Sequence, residues 1–314
     1  MTFLFRIFAS MMKSNKSILG IYLKGIAMGI ADLVPGVSGG TIALITNIYE
    51  DLIISINQLN AKEIFTLFGA NRKSSWQKIN GPFLLPLFLG IATSILFLSS
   101  IISFFLENHA LALWSFFFGL ILASSILICK DLKQWSPSTI AGLIIGGLIS
   151  FLISFLSPAE QTEALPYLFV CGMLMIMAMI LPGISGAFIL VLLGAYETAL
   201  ETVELVRSFR IQGFLNLLAF GLGGIIGLKL FARWVGKLYV NYRDPLLATM
   251  SGFMFGSLYK VWPWKQYIND ENRVQTAVLP NFEITNSELW TGLGFIIIGS
   301  FVIYYFHKIS QSKK

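Results

Sequence analysis

The stretch GIAMGIADLVPGVSGGTIALITNIYE, residues 25–50, returns 147 residues later as GMLMIMAMILPGISGAFILVLLGAYE, residues 172–197, without a gap. Ten positions are identical: Gly25, Met28, Ala31, Pro35, Gly36, Ser38, Gly39, Ile42, Tyr49 and Glu50 match Gly172, Met175, Ala178, Pro182, Gly183, Ser185, Gly186, Ile189, Tyr196 and Glu197. Shared apolar composition does not produce this agreement, so the chain reads as two halves of one design. GLILAS (119–124) answering GFMFGS (252–257) extends the likeness beyond the two motifs.

Both copies lie in a chain that is 56% hydrophobic and only 12% charged over 314 residues, with a mean hydropathy of +0.76. A soluble core of this length does not hide that much apolar surface, so this is an integral membrane protein. Backbone polar groups in lipid need partners within their own segment, which favours helices. Charge-free apolar runs of spanning length occur at 82–106, 111–129, 137–156 and 289–306, with shorter ones at 214–228 and 245–259 that are expected to belong to spans at 214–232 and 245–262. Cys129 and Cys171 are single cysteines in apolar runs, and His109 and His307 are the only histidines, so neither a metal site nor a bound cofactor is expected. The net charge of +6 reads as basic loops on the cytoplasmic side of a membrane rather than as a nucleic-acid surface.

Lysine and arginine then set the topology. The N-terminal flank carries Arg6, Lys13, Lys16 and Lys24, and the loop after the first motif carries Lys62, Arg72, Lys73 and Lys78. Basic loops stay in the cytoplasm, so the first motif enters the membrane and returns. Three crossings separate it from the second motif, which dips in from the opposite side after the acidic loop holding Glu160 and Glu163. The expected architecture is an all-α polytopic membrane protein of two inverted-topology repeats, each a re-entrant helical hairpin plus three transmembrane helices. An interfacial segment at 1–16 precedes repeat 1 (17–156, re-entrant motif 25–56), then repeat 2 (157–307, re-entrant motif 166–200), and a cytoplasmic tail at 308–314. Both termini are expected in the cytoplasm. The other reading makes each motif one broken spanning helix, which would put the loop 57–81 outside.

The chemistry is expected at the motif breaks. A Pro-Gly pair ends one arm and starts another, and Gly36, Gly39 and Gly40 let the backbone turn and approach a ligand. The first amides of a new arm have no helical partner and carry the positive end of its dipole. With the hydroxyls of Ser38, Thr41 and Ser185, and with Gly183 and Gly186, the two breaks read as paired anion cradles. The alternative is a packed hairpin tip whose amides are satisfied by neighbouring helices. Lys229, Arg233 and Lys237 share one helix face, either as a cationic rail for a phosphate or as snorkelling anchors. Asp32, before the first break, either titrates and couples transport to protons or caps nearby amides; its counterpart is Met179. Glu50 and Glu197 are further coupling candidates, although a place at the interface suits them. Trp262 and Trp264 flank Pro263 as an aromatic belt would.

The motif pair, with GSLYKVWPW (256–264) after the second half, closely resembles the polyprenyl-phosphate transporters, PopT-like proteins once catalogued as a domain of unknown function. The resemblance spans roughly residues 18–306. It implies paired re-entrant helices and return of undecaprenyl phosphate across the cytoplasmic membrane, so that the lipid carrier of cell-wall and surface-glycan synthesis is reused. Membrane lipids and this polyprenyl phosphate are the implied partners. Ala187 departs from the resemblance, where a second serine is expected. The competing class is an enzyme resembling undecaprenyl pyrophosphate phosphatases, which carry a PGxSRSG pattern. Here Gly39 and Gly186 occupy the arginine position, and cleavage of a pyrophosphate needs concentrated positive charge or a metal, so no catalytic residue is expected. A secondary transporter of a small soluble anion is the third class.

Overall fold

In a computed structural model the residues described are 17–34, 36–67, 69, 72–156, 159, 163–269, 274–277 and 286–311. The interfacial segment expected at 1–16, Pro35, Glu160 and the last three residues of the tail lie outside them. The fold is helical, with one short hairpin among the described residues. Helix α1 (Ile18–Leu33) starts at Ser17, whose Oγ accepts the Gly20 amide. It ends at Val34, where the backbone turns extended. Short helices α2 (Gly39–Ile45) and α3 (Tyr49–Gln58) follow, bent by 115° to each other. After α4 (Ala61–Thr66) and α5 (Arg72–Lys78) come α6 (Gly81–Asn108), α7 (Ala110–Lys130) and α8 (Pro137–Ile153). The second half repeats the order with α9 (Leu165–Ile180), α10 (Gly186–Leu192), α11 (Tyr196–Arg207), α12 (Ile211–Asn241) and α13 (Arg243–Ser257). Antiparallel strands β1 (Lys265–Asn269) and β2 (Val274–Ala277) precede α14 (Asn286–Gln311).

The sequence repeat is also a backbone repeat. Gly36 and Gly183 both take φ +85°, a region that side chains disfavour, and Asn47 and Gly194 turn left-handed at equivalent places after α2 and α10. Helix α1 packs on α6 as α9 packs on α12. Gly25 and Gly90 each face a backbone carbonyl, of Leu87 and Tyr22 respectively, too closely for any side chain. Gly172 and Gly223 meet Phe220 and Phe169 in the same way. Small residues let helices touch along their backbones, where van der Waals packing holds them. Each half lends its last two long helices to the other: α7 packs on α14 and α8 on α13.

Four described helices are long and apolar enough to cross a membrane: Gly81–Asn108, Ala110–Lys130, Ile211–Asn241 and the Ser287–Tyr305 part of α14. The bent pair α2–α3 makes five if it counts as one span. The chain is thus a multi-pass membrane protein. The spans expected at 137–156 and 245–262 are shorter helices, α8 and α13, interlocked through Gly146 against Thr249 and Gly252 against Leu143. Gly256 extends the interlock, backing onto the α8 backbone at Gly147.

Three local features differ from the sequence reading. Lys24, counted with the basic flank, is 2% exposed and donates from Nζ to the Thr46 carbonyl at 2.9 Å, closing the end of α2. Trp264 is buried and Trp262 packs edge-on to Phe118, so the pair serves packing and not an aromatic belt. The connection between α13 and α14, for which the sequence reading gave no secondary structure, contains the β1–β2 hairpin.

Candidate functional site

The two motif breaks meet. Ser38 Oγ donates across to the carbonyls of Met179 (3.0 Å) and Leu181 (3.1 Å), and the Gly183 amide donates back to Thr41 Oγ1 at 2.9 Å. Gly40 lies against the Ile180 carbonyl with no room for a side chain. Residues more than 140 positions apart in sequence, which the repeat alone equates, therefore share one buried junction.

Accounting for amides shows what the first break does. The Gly39 amide donates to Asp32 Oδ1 at 2.7 Å, the Gly40 amide to Ser38 Oγ at 3.1 Å, and the Thr41 amide to the Ser38 carbonyl at 3.0 Å. The donors read as a cradle are spent within the protein, and the Asp32 carboxylate sits where an anion would. That is the capping alternative for Asp32. In the second break, Ser185 Oγ accepts the Phe188 amide at the long distance of 3.5 Å. Met179, at the position of Asp32, lays its side chain against Gly186, which therefore lacks the carboxylate that Gly39 has.

Beside the junction lies a small, partly open cavity that touches the two glycines of φ +85°, Gly36 and Gly183, together with Ser185 and Phe188. Its cation is Lys260, which the sequence reading left out. Three contacts fix it. The Lys260 amide donates to the Ser257 carbonyl at the end of α13. Tyr259 stacks on Phe155 at 4.6 Å and meets Phe151 edge-on at 5.5 Å, which pins the turn to α8. The stem of Lys260 runs over Gly36. The ammonium rests 4.1 Å from the centre of the Phe188 ring, and no carboxylate pairs with it among the described residues. Hydroxyls of Ser150, Ser154 and Ser257 line the α8–α13 side of the cavity.

A lysine inside an apolar run is by itself a functional signal, and Lys260 falls within the span expected at 245–262. The echo of GLILAS in GFMFGS (252–257) ends three residues before it.

The other sequence candidates lie elsewhere. Lys229 Nζ donates to the carbonyls of Ile56 (2.8 Å) and Asn57 (3.1 Å), and Asn57 Nδ2 donates to the Ala232 carbonyl. Lys229 thus neutralises the carbonyl end of α3 and docks it on α12. Arg233, Glu50 and Glu197 are exposed and line no part of the cavity. Among the described residues no cluster of His, Cys, Asp or Glu could hold a metal ion.

Comparison with known proteins points the same way. Residues 28–278 match the model of a family described as undecaprenyl phosphate translocase-like. A polyprenyl-phosphate transporter of Vibrio cholerae serotype O1 is 42% identical over 251 residues, 80% of each chain. One from Staphylococcus aureus is 30% identical over 253 residues, 77% of this chain and 85% of that one. No solved structure matches the chain.

Proposed function

This chain belongs to the undecaprenyl phosphate translocase-like family, and from that premise we propose that it moves undecaprenyl phosphate across the cytoplasmic membrane by alternating access. The family is one of translocases and not of enzymes, which sets the phosphatase reading aside. The observation that carries the proposal is Lys260, a cation without a carboxylate partner among the described residues, facing a cavity built by Gly36, Gly183 and Ser185 at the junction of the two repeats.

The physics of the task suits that site. A phosphate monoester carries about −1.5 to −2 charges at neutral pH, and its headgroup must cross about 30 Å of hydrocarbon. The isoprenoid tail needs no shelter, so the protein has only to replace water around the head. Lys260 offers a charge-assisted bond, and Ser185, whose Oγ accepts the Phe188 amide and keeps its own proton, offers a second donor. The breaks hold each other: Asp32, Ser38 and Thr41 spend their capacity on the junction, which then positions Gly36 and Gly183 beneath the head.

Alternating exposure follows from inverted halves that rock about this junction. The exchange of helices between halves, α7 with α14 and α8 with α13, supplies the pseudo-symmetric frame for such a motion. Two contacts mark opposite ends of the bundle. Asp244 accepts the amides of Lys133 and Gln134 at one end, and Lys265 covers Trp114 at the other. The first end carries the basic connections and is assigned to the cytoplasm, with both termini; Lys24, being buried, no longer contributes to that assignment.

The test is reconstitution of the purified chain in liposomes with labelled undecaprenyl phosphate in one leaflet. Redistribution to the other leaflet, abolished in Lys260→Met, is the expected result. Label that stays in its starting leaflet, with or without an imposed proton gradient, overturns the proposal. Redistribution of a soluble phosphate in place of the lipid would reassign the site to small anions.

A further inference from the structure

Outside the cavity, three donors on the adjoining pairs Trp264–Lys265 and Trp114–Ser115 have no assigned role. Lys265 Nζ stands 3.6 Å from the centre of the Trp114 ring and pairs with no carboxylate among the described residues. The next residue back, Trp264, is 8% exposed, and its Nε1 has no acceptor. Ser115, beside Trp114 on α7, is 0% exposed, and its Oγ also has no partner. Gly292 of α14 joins them: a methyl group there would come 2.7 Å from Trp264 Cζ2 and 3.4 Å from Ser115 Oγ.

Buried donors are nearly always satisfied. A bridging water needs acceptors for its own hydrogens as well as donors, whereas this cluster offers an indole N–H and an ammonium that only donate, and a single hydroxyl that does both. An anion fits such a set better. The ammonium is also poorly placed as it stands, since an indole face holds a cation less firmly than a phosphate oxygen does. Burial, with added repulsion from Lys260, pulls Lys265 down to about 7, as expected of a cation that lacks a counter-charge.

We propose that Lys265 Nζ, Trp264 Nε1 and Ser115 Oγ form a second station for the lipid phosphate, one step along the 260–265 segment from the cavity of Lys260. The station rests on the reading of the cavity as a phosphate site. It would let a headgroup pass between two cations without an unpaired interval in a medium of low polarity.

The purified full-length chain in detergent tests this by titration with farnesyl phosphate, a short isoprenyl monophosphate, against farnesol as the uncharged control. Intrinsic tryptophan fluorescence is the readout, since Trp114, Trp262 and Trp264 flank the station. Lys260→Met is expected to keep a phosphate-dependent change at weaker affinity, and Lys260→Met with Lys265→Met to lose it. Ser115→Ala, which keeps the packing shape, and Trp264→Phe, which removes the N–H together with part of the buried ring, are expected to weaken binding by about tenfold in the Lys260→Met background. If Lys260→Met alone removes all phosphate-dependent change while Lys265→Met, Trp264→Phe and Ser115→Ala bind as the unaltered protein does, the station does not exist and the cavity reading stands. If the unaltered protein responds equally to farnesyl phosphate and farnesol, the cavity reading fails and the station with it.

Discussion

The two motif breaks share ten sequence positions and the same backbone, yet the first spends its amides and hydroxyls on the junction while the second supplies most of the motif residues that line the cavity. In the first, Asp32 occupies the Gly39 amide and Ser38 and Thr41 reach across to the partner break. In the second, Met179 replaces the acid, and Phe188, at the position of Thr41, supplies a ring for Lys260 instead of a hydroxyl. Duplication supplied the same turn twice. Differences at two positions, Asp32 against Met179 and Thr41 against Phe188, then divide the labour, with one copy bracing the junction and the other presenting a binding face.

The largest effect should come from the face that binds. Lys260→Met removes the cation lining the cavity, and a hydrogen bond to a charged group contributes about 1.5–3 kcal/mol. Affinity for a short isoprenyl monophosphate is therefore expected to fall by roughly 10- to 100-fold. Lys260→Arg should keep more of it. A titration in which Lys260→Met binds like the parent would break the assignment of roles to the two copies.

Giving the second break the acid of the first sharpens the contrast. Met179→Asp places a carboxylate where the Gly186 amide can bind it, as Asp32 binds Gly39. The added negative charge next to the cavity opposes a phosphate, so binding is expected to weaken by about tenfold, given like-charge interactions on the order of 1–4 kcal/mol at effective dielectrics of 80 to 20. Unchanged phosphate affinity in a well-folded Met179→Asp protein would show that the cavity does not sense this position.

The brace is expected to matter for stability before affinity. Thr41→Val removes the acceptor of the buried Gly183 amide and leaves that donor unsatisfied, at a cost of about 1–3 kcal/mol. At about 2–4 °C per kcal/mol for a chain of this class of size, melting should drop by several degrees. Thr41→Ser restores the acceptor and should recover most of the loss. A Thr41→Val protein that melts with the parent would mean that the junction is held by packing alone.

Sequence pattern made the repeat visible, since Gly36 with Gly183 and Ser38 with Ser185 depend only on matching letters. The meeting of the breaks matches the expectation of a pair, and the contacts that join them run tip to tip, from Ser38 to Leu181 and from Gly183 to Thr41. The division of labour was hidden. Whether Asp32 would hold its own break or titrate depended on the distance to Gly39, and no spacing rule fixes that distance. Lys229 looked like a rail because three cations share a helix face, but its ammonium is taken by the carbonyl end of α3, a partner 172 residues away. Lys260 stood in plain view as an ionisable residue in an apolar run. It was masked by its place at the end of α13, where a lysine passes for an anchor.

The smallest effect concerns pH and the cation farther from the break. Lys265 is drawn to about 7 by burial and by Lys260, so in the free protein it carries its charge below pH 7 and loses it above. Phosphate favours the charged form. Above pH 7, binding at this station must therefore take up a proton and weakens by up to about tenfold per pH unit. Below about pH 6 the monoester loses its second charge, which weakens binding from the other side. In a Lys260→Met background the repulsion is gone and the alkaline limit moves upward, so affinity should peak between the acid limit and that raised limit. Lys265→Arg stays charged throughout, so its alkaline limb should vanish while the acid limb remains. Identical alkaline limbs for lysine and arginine at this position would mean that the charge reading the phosphate belongs to the lipid alone, and the station would lose its cation.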